Sequence, residues 1–150
     1  MSRFFAFLRL TFFYPPNVTV FFQIFLGSFL VFAAVMKLLF PYPFLVAIIR
    51  FGWLDPWWIK PIAGLIIFSE LILGALLLTG KYVKWIAAAI VLMLTLFTAV
   101  VGLALLSGQH FSCGCWGPSY DISFKHLLEN GVLIAMAVWI YHYPKTWWSV

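Results

Sequence analysis

Long runs of apolar residues alternate with short polar breaks along most of this chain. Because a helix needs about 20 apolar residues to cross the hydrocarbon core of a bilayer, the pattern predicts four spanning helices, at about residues 18–40, 59–79, 82–106 and 123–143. Proline or glycine stands at nearly every boundary, where helix breakers belong. The predicted fold class is all-α, an integral membrane four-helix bundle that forms a single domain over residues 1–150.

The connections between these spans differ in length. Residues 41–58 join the first two spans and include an apolar stretch at about 44–53, which predicts a short interfacial segment. Only Gly80 and Lys81 join the second and third spans, so these two should be antiparallel neighbours. Residues 107–122 join the last two spans and hold both cysteines of the chain. Ahead of Pro15, we expect an interfacial amphipathic stretch rather than a cleavable signal peptide.

Composition supports the membrane assignment. The chain is 65% hydrophobic and 9% charged, whereas a soluble domain carries roughly a quarter charged residues. Its mean hydropathy is +1.09. The excess of 9 Lys and Arg over 4 Asp and Glu lies in the short polar segments, which is typical of membrane topology and does not suggest nucleic acid.

The distribution of positive charge predicts an orientation. The side with the two termini and the Gly80 turn carries Arg3, Arg9, Lys81, Lys84 and Lys145. The opposite side carries Arg50, Lys60 and Lys125, with Lys37 just inside the first span. This modest bias favours both termini in the cytoplasm. We expect the membrane to be a prokaryotic inner membrane. The cysteine segment 107–122 would then face the extracytoplasmic side, where disulfides are permitted.

The two cysteines form a Cys113-Gly114-Cys115 pair in a polar, glycine-rich break. A disulfide across one intervening residue closes a very small ring and departs from relaxed geometry, which makes it more reducible. Strained, exposed disulfides tend to be the catalytic or labile ones. Gly114 relieves part of the strain because it reaches backbone angles that other residues avoid. The pair is therefore predicted to be a redox-active dithiol.

Two other interpretations of the cysteine pair stay open. Cys113 and Cys115 with His110 or His126 could supply soft ligands for copper or zinc. Against this, structural zinc sites usually space their cysteines by two to four residues, and no second pair exists. The pair could also be a structural staple, although closing so small a loop removes little chain entropy and stabilises poorly.

Glu70 falls near the middle of the second predicted span, where an ionisable group is costly and usually faces a partner or a water-filled cavity. It is either a proton relay, which could hydrogen-bond a quinone or the cysteines, or a buried pair that fixes helix packing. Lys37 lies about one turn inside the first span, and we expect it to extend to the interface. Pairing with Glu129 or Glu70 is the alternative.

His126, Glu129 and Asn130 share one face of the fourth span, because residues three and four apart are helix neighbours. A base on that face could lower the pKa of a cysteine thiol. The same three side chains could equally cap and pack the helix end. Small residues at Gly64, Gly74 and Gly131 predict close helix contacts.

Several of these stretches resemble the MauE/DoxX-type redox-associated membrane proteins, named in part for methylamine-utilisation maturation. The resemblance covers roughly residues 29–143. It rests on Ala33-Ala34-Val35-Met36-Lys37, Ser69-Glu70-Leu71, Cys113-Gly114-Cys115-Trp116-Gly117 and Asn130. The cysteine block is similar to the family's Cys-Gly-Cys-Phe-Gly signature, with Trp116 in place of phenylalanine.

This resemblance implies a four-helix membrane protein that supports disulfide formation or thiol redox traffic outside the cytoplasm, with a thioredoxin-like protein or an extracytoplasmic thiol client as partner. The predicted function is therefore a thiol–disulfide redox protein in which Cys113 and Cys115 cycle. Glu70, and with it His126 and Glu129, would relay protons. A quinone is the cofactor that could regenerate the disulfide. The alternative is a non-catalytic subunit or assembly factor of a larger membrane complex.

Overall fold

The computed structural model describes residues 15–52, 55–107 and 124–145, and every regular element in this part of the chain is a helix. The five helices are α1 (Pro15–Leu39), α2 (Pro41–Phe51), α3 (Pro56–Thr79), α4 (Val83–Leu106) and α5 (Phe124–His142). The all-helical prediction is thus confirmed for the described residues.

Helix boundaries follow from proline and from left-handed backbone positions. The helices α1, α2 and α3 each begin with proline, which tolerates the first turn because the missing N–H would have no intrahelical partner there. The helices α2 and α3 end at Gly52 and Gly80, whose φ angles of 67° and 69° lie in the left-handed region that glycine reaches without strain. The chain then reverses into α4 through Tyr82, which also has a positive φ of 51°.

Three helices are long and apolar enough to cross a bilayer, over Asn17–Leu39, Pro56–Thr79 and Val83–Leu103. The apolar part of α5, Leu127–His142, is shorter than these three. The stretch predicted as an interfacial segment forms the short helix α2, with Arg50 in its last turn. Three spans are therefore supported by length and composition.

The helices associate mainly as two pairs, α1 with α3 and α4 with α5. Although α3 and α4 are joined by a tight turn, they pack together less extensively than the helices within either pair. The main core joins both pairs and includes Leu26, Leu30, Leu77, Ile90 and Ile140. A second core packs α2 against α1 and α3 through Ala34, Phe44, Ile48, Ile59, Ala63 and Ile67.

The helices α1 and α3 approach closely at Gly27 and Gly74. A Cβ atom added to Gly74 would lie 2.9 Å from the carbonyl oxygen of Gly27, and one added to Gly27 would lie 2.8 Å from Cγ of Leu78. Close approach of this kind is the usual role of small residues between membrane helices. In contrast, a Cβ atom at Gly64 or Gly131 would meet nothing within 4 Å, so the close contacts predicted there are wrong.

Both helix pairs are antiparallel. In the first pair, Gly27 meets Gly74 while Lys37, further along α1, meets Glu70, which is earlier in α3. In the second pair, Lys84 at the start of α4 lies over the ring of Tyr141 near the end of α5. The end of α1, the first half of α3, the end of α4 and the start of α5 therefore share one end of the helices. Residues 108–123 join α4 to α5, and we call this the 108–123 end.

Candidate functional site

A buried ion pair links α1 to α3 towards the 108–123 end. Nζ of Lys37 lies 2.6 Å from both carboxylate oxygens of Glu70 and donates a hydrogen bond to each. The two residues are only 2% and 7% exposed. The prediction that Lys37 extends to the membrane interface is therefore wrong, and the alternative pairing with Glu70 is the one observed. The carboxylate of Glu70, buried inside an apolar helix, explains why the lysine turns inward, because a buried charge is costly without a partner.

Aromatic rings complete the surroundings of the Lys37 ammonium group. Nζ lies 5.3 Å from the ring centre of Phe44 on α2 and 5.9 Å from that of Phe97 on α4. A cation over an aromatic face is attracted by the ring quadrupole, and more strongly where water is excluded. Lys37 thus connects four helices: α1, which carries it, and α2, α3 and α4, which it contacts.

The ion pair lines a cavity of about 640 Å³ to which all five helices contribute side chains. Its described lining is mostly aliphatic and aromatic, and the polar residues among these are Lys37, Ser69, Glu70, Glu129 and Asn130. The hydroxyl of Ser69 donates to the carbonyl oxygen of Ile66 and also contacts Sδ of Met93 on α4, at 3.7 Å. A cavity of this size, apolar with a few convergent polar groups, is the usual form of a small-molecule site.

The first turns of α5 contribute to the same cavity. Glu129 and Asn130, which the sequence placed on one helix face, both line it, as does Glu70 on α3. Glu129 is also close to Lys125, with 3.9 Å between Nζ and the nearer carboxylate oxygen. The structure therefore brings the two acidic residues of the predicted site, Glu70 and Glu129, to one cavity.

Comparison with known proteins identifies the family. Residues 15–143 match the family described as methylamine utilisation protein MauE. The chain belongs to the MauE family. Neither the curated proteins nor the solved structures gave a match. The prediction of a MauE-type protein is confirmed, and the wider resemblance to DoxX proteins stays a prediction.

MauE membership and the long apolar helices agree on the class of protein. The chain is an integral membrane protein, in keeping with three helices that are able to span a bilayer. Membership also implies a role in maturation for methylamine utilisation.

The predicted cysteine site of this MauE-family chain lies outside the described residues. Cys113, Cys115 and His110 fall in segment 108–123, and the side chain of His126 is also outside the described part, although its backbone lies in α5. Within the described ranges, no three His, Cys, Asp or Glu side chains group together as metal ligands would. The metal alternative, which requires the cysteines, therefore stays a prediction.

A further buried polar position was not predicted from the sequence: Gln23 on α1 is completely buried. Its Nε2 donates a hydrogen bond of 2.8 Å to the carbonyl oxygen of Lys145, beyond the end of α5. The contact ties α1 to the chain that leaves α5, at the opposite end from the cavity. A glutamine inside an apolar span was the available signal, since buried polar groups require partners.

Proposed function

We propose that this MauE-family protein is a thiol–disulfide redox protein in which Cys113 and Cys115 cycle between a dithiol and a disulfide. Such a couple would support disulfide formation in a thioredoxin-like partner or an extracytoplasmic thiol client during maturation. One thiolate of the client attacks one sulfur of the disulfide, a mixed disulfide forms, and the other cysteine leaves as a thiolate. A second thiolate of the client then attacks the client sulfur of the mixed disulfide, which forms the client disulfide and releases the remaining cysteine as a thiolate.

The observation that carries this proposal is a cavity lined in part by polar side chains, at the end of the helices from which the cysteine segment departs and to which it returns. The cavity and the Lys37–Glu70 pair lie in the half of the helices towards the 108–123 end. The chain that joins α4 to α5 at this end contains the Cys113-Gly114-Cys115 pair. Glu129 and Asn130, in the first turns that follow this segment, face the same cavity. The described residues thus supply acidic groups at the end of the helices where the segment with the two cysteines leaves α4 and enters α5.

We propose that the 108–123 end lies on the extracytoplasmic side of a prokaryotic inner membrane and that both termini lie in the cytoplasm. In this arrangement α5 is the fourth spanning helix, because the chain must return across the bilayer after α4. The charge bias of the polar segments supports this orientation. Acidic groups at the cavity, Glu70 and Glu129, would pass the protons released when the dithiol is oxidised.

Replacing both cysteines separates this function from the non-catalytic alternative. In a host that depends on the protein, the Cys113→Ser/Cys115→Ser variant should leave exported cysteine proteins reduced, because no thiol couple remains to oxidise them. Maleimide trapping of those proteins measures the effect, and native gels of the membrane report complex assembly. Ser112→Ala is the matched control, since it alters the same segment without removing a thiol, and it should behave as the parent protein.

The two outcomes have opposite meanings. Loss of client disulfides with normal complex assembly supports the redox function. Loss of assembly with fully oxidised clients would instead establish a subunit or assembly factor whose cysteine pair is structural.

A further inference from the structure

We propose that the cavity beside the Lys37–Glu70 pair binds a quinone, a neutral, membrane-soluble molecule that accepts two electrons. This inference rests on the proposed thiol redox function for the class of ligand and on the cavity for the place. All residues named below for the site belong to the part of the chain that the structure describes. Its volume of about 640 Å³ falls within the range of roughly 300–1,000 Å³ that is usual for small-molecule sites.

Access to the cavity is from the side that faces lipid. Leu65 on α3 and Leu92 and Leu96 on α4 line the cavity and are also 71%, 63% and 59% exposed. The cavity therefore reaches the outer surface between α3 and α4, where these two helices pack less extensively than the helices of either pair. On a membrane protein this surface meets lipid chains. A ligand that enters here must itself dissolve in the bilayer, which excludes water-soluble metabolites.

The charges around the cavity favour a neutral ligand. The ammonium group of Lys37 is balanced by the carboxylate of Glu70, and Glu129 lies near Lys125. The lining therefore offers little net charge to bind an anionic or cationic head group. The aromatic rings of Phe29, Phe44 and Phe97 add flat apolar surface, against which a planar ring can pack.

The polar residues of the cavity match the carbonyl groups of a quinone. An ammonium group carries three N–H donors, and the two oxygens of Glu70 accept from Lys37. A donor then remains on Lys37 for a carbonyl oxygen of the ligand. The side-chain amide of Asn130 on α5 is a second donor type in the lining. Two donors on different helices suit a ring with carbonyl oxygens at opposite positions.

The electron balance of the coupled step is simple. The S–H bonds of Cys113 and Cys115 break and one S–S bond forms, which releases two electrons and two protons. The quinone takes up both, and its two carbonyl oxygens become the hydroxyl groups of a quinol. Among the described residues that line the cavity, Glu70 and Glu129 are acidic and can carry these protons.

Binding is tested with the full-length protein in phospholipid nanodiscs that contain no quinone, titrated with a decyl-substituted benzoquinone and measured by equilibrium dialysis. Ala89 lines the cavity from α4, whereas Ala99 on the same helix is exposed and lies outside it. Ala89→Phe should raise the Kd about tenfold, because overpacking a filled site costs 1–3 kcal/mol. Ala99→Phe, which adds the same ring at the surface, should leave the Kd unchanged.

A second variant tests the polar contact. Lys37→Met/Glu70→Met removes both charges together, and losing a charge-assisted hydrogen bond to the ligand should raise the Kd by about tenfold or more. Cys113→Ser/Cys115→Ser should bind with the parental Kd, because the described lining residues supply the proposed contacts to the ligand. Binding that is absent, or equally strong in the Ala89→Phe and Ala99→Phe proteins, would overturn the inference. Native mass spectrometry that finds a retained phospholipid, which the quinone does not displace, would overturn it as well.

Failure of this inference is distinguishable from failure of the proposed function. If the cysteine couple titrates reversibly but the protein does not bind quinone, the proposed quinone site is wrong and the proposed redox function is supported. If the protein binds quinone but its cysteines do not titrate, the proposed quinone site is supported and the cysteines are not its electron source.

Discussion

Replacing Lys37 by methionine is expected to lower the free energy of unfolding by about 3–5 kcal/mol, the usual cost of removing one partner of a buried ion pair. The variant leaves the carboxylate of Glu70, which is 7% exposed, without its cation. Glu70→Met should cost a similar amount, because it leaves the ammonium group of Lys37 buried and unpaired. Denaturant titration of the purified protein in detergent micelles, followed by circular dichroism, measures both effects.

The double variant Lys37→Met/Glu70→Met should recover most of that loss. Methionine has about the size of either side chain, and replacing a whole buried pair by apolar residues of similar volume is often neutral or stabilising. Lys125→Met is the control, since its pairing distance is 3.9 Å and its side chain is 69% exposed. That change should cost less than about 1 kcal/mol, as surface pairs usually do. A double variant as unstable as the two single variants combined would contradict the account, because the pair would then show no coupling.

The folded double variant also distinguishes a purely structural role of the pair in helix packing from its proposed role in binding the quinone. If Lys37 and Glu70 only fix the packing of α1 on α3, a stable double variant should retain redox activity. We expect it to remain folded and to lose quinone-dependent reoxidation, since the proposed ligand contact and one proton-carrying group are gone.

Replacing Gly74 by alanine is the second change with a large expected effect, a loss of about 1–3 kcal/mol, which is typical of overpacking. The new Cβ atom would lie 2.9 Å from the carbonyl oxygen of Gly27 and 3.0 Å from Cβ of Leu30. Neither of these atoms is the far end of a flexible side chain, so relief requires α1 and α3 to move apart. The same micelle titration measures the loss.

Gly64→Ala is the matched control on the same helix. A Cβ atom there meets nothing within 4 Å, and alanine favours helix over glycine by about 0.5–1 kcal/mol. Gly64→Ala should therefore be neutral or slightly stabilising. Equal losses for the two variants would show that the Gly27–Gly74 crossing does not limit the approach of α1 to α3.

The sequence predicts best at positions where the chemistry of one side chain requires a particular kind of neighbour. A glutamate in the middle of an apolar span predicts burial with a partner, and Glu70 has one. Which residue is the partner of Glu70 was harder to predict, because Lys37 lies close enough to the helix end to extend to the interface. The choice depends on how α1 and α3 are aligned, which neither helix encodes separately.

The contacts of small residues were also hard to predict, because they too depend on how two helices are aligned. The sequence singled out Gly64, Gly74 and Gly131 as contact positions, yet only Gly74 meets a neighbouring backbone, and its partner Gly27 was not recognised. Which face of a helix turns towards another helix cannot be read from composition when nearly all faces are apolar. The cavity was unpredictable for the same reason, since it arises where α3 and α4 pack less extensively.

The predicted function depends most on Cys113 and Cys115. Their role is inferred from the motif, from its position in the chain and from the family. A redox titration of the two cysteines tests the predicted function most directly. The protein in its native membrane is equilibrated with defined thiol–disulfide buffers, and its free thiols are trapped with a mass-adding maleimide. We predict a reversible two-electron transition at a potential above about −300 mV, the level below which structural disulfides typically lie. A pair that stays oxidised throughout, or one that reacts only after a chelator is added, would contradict the redox function.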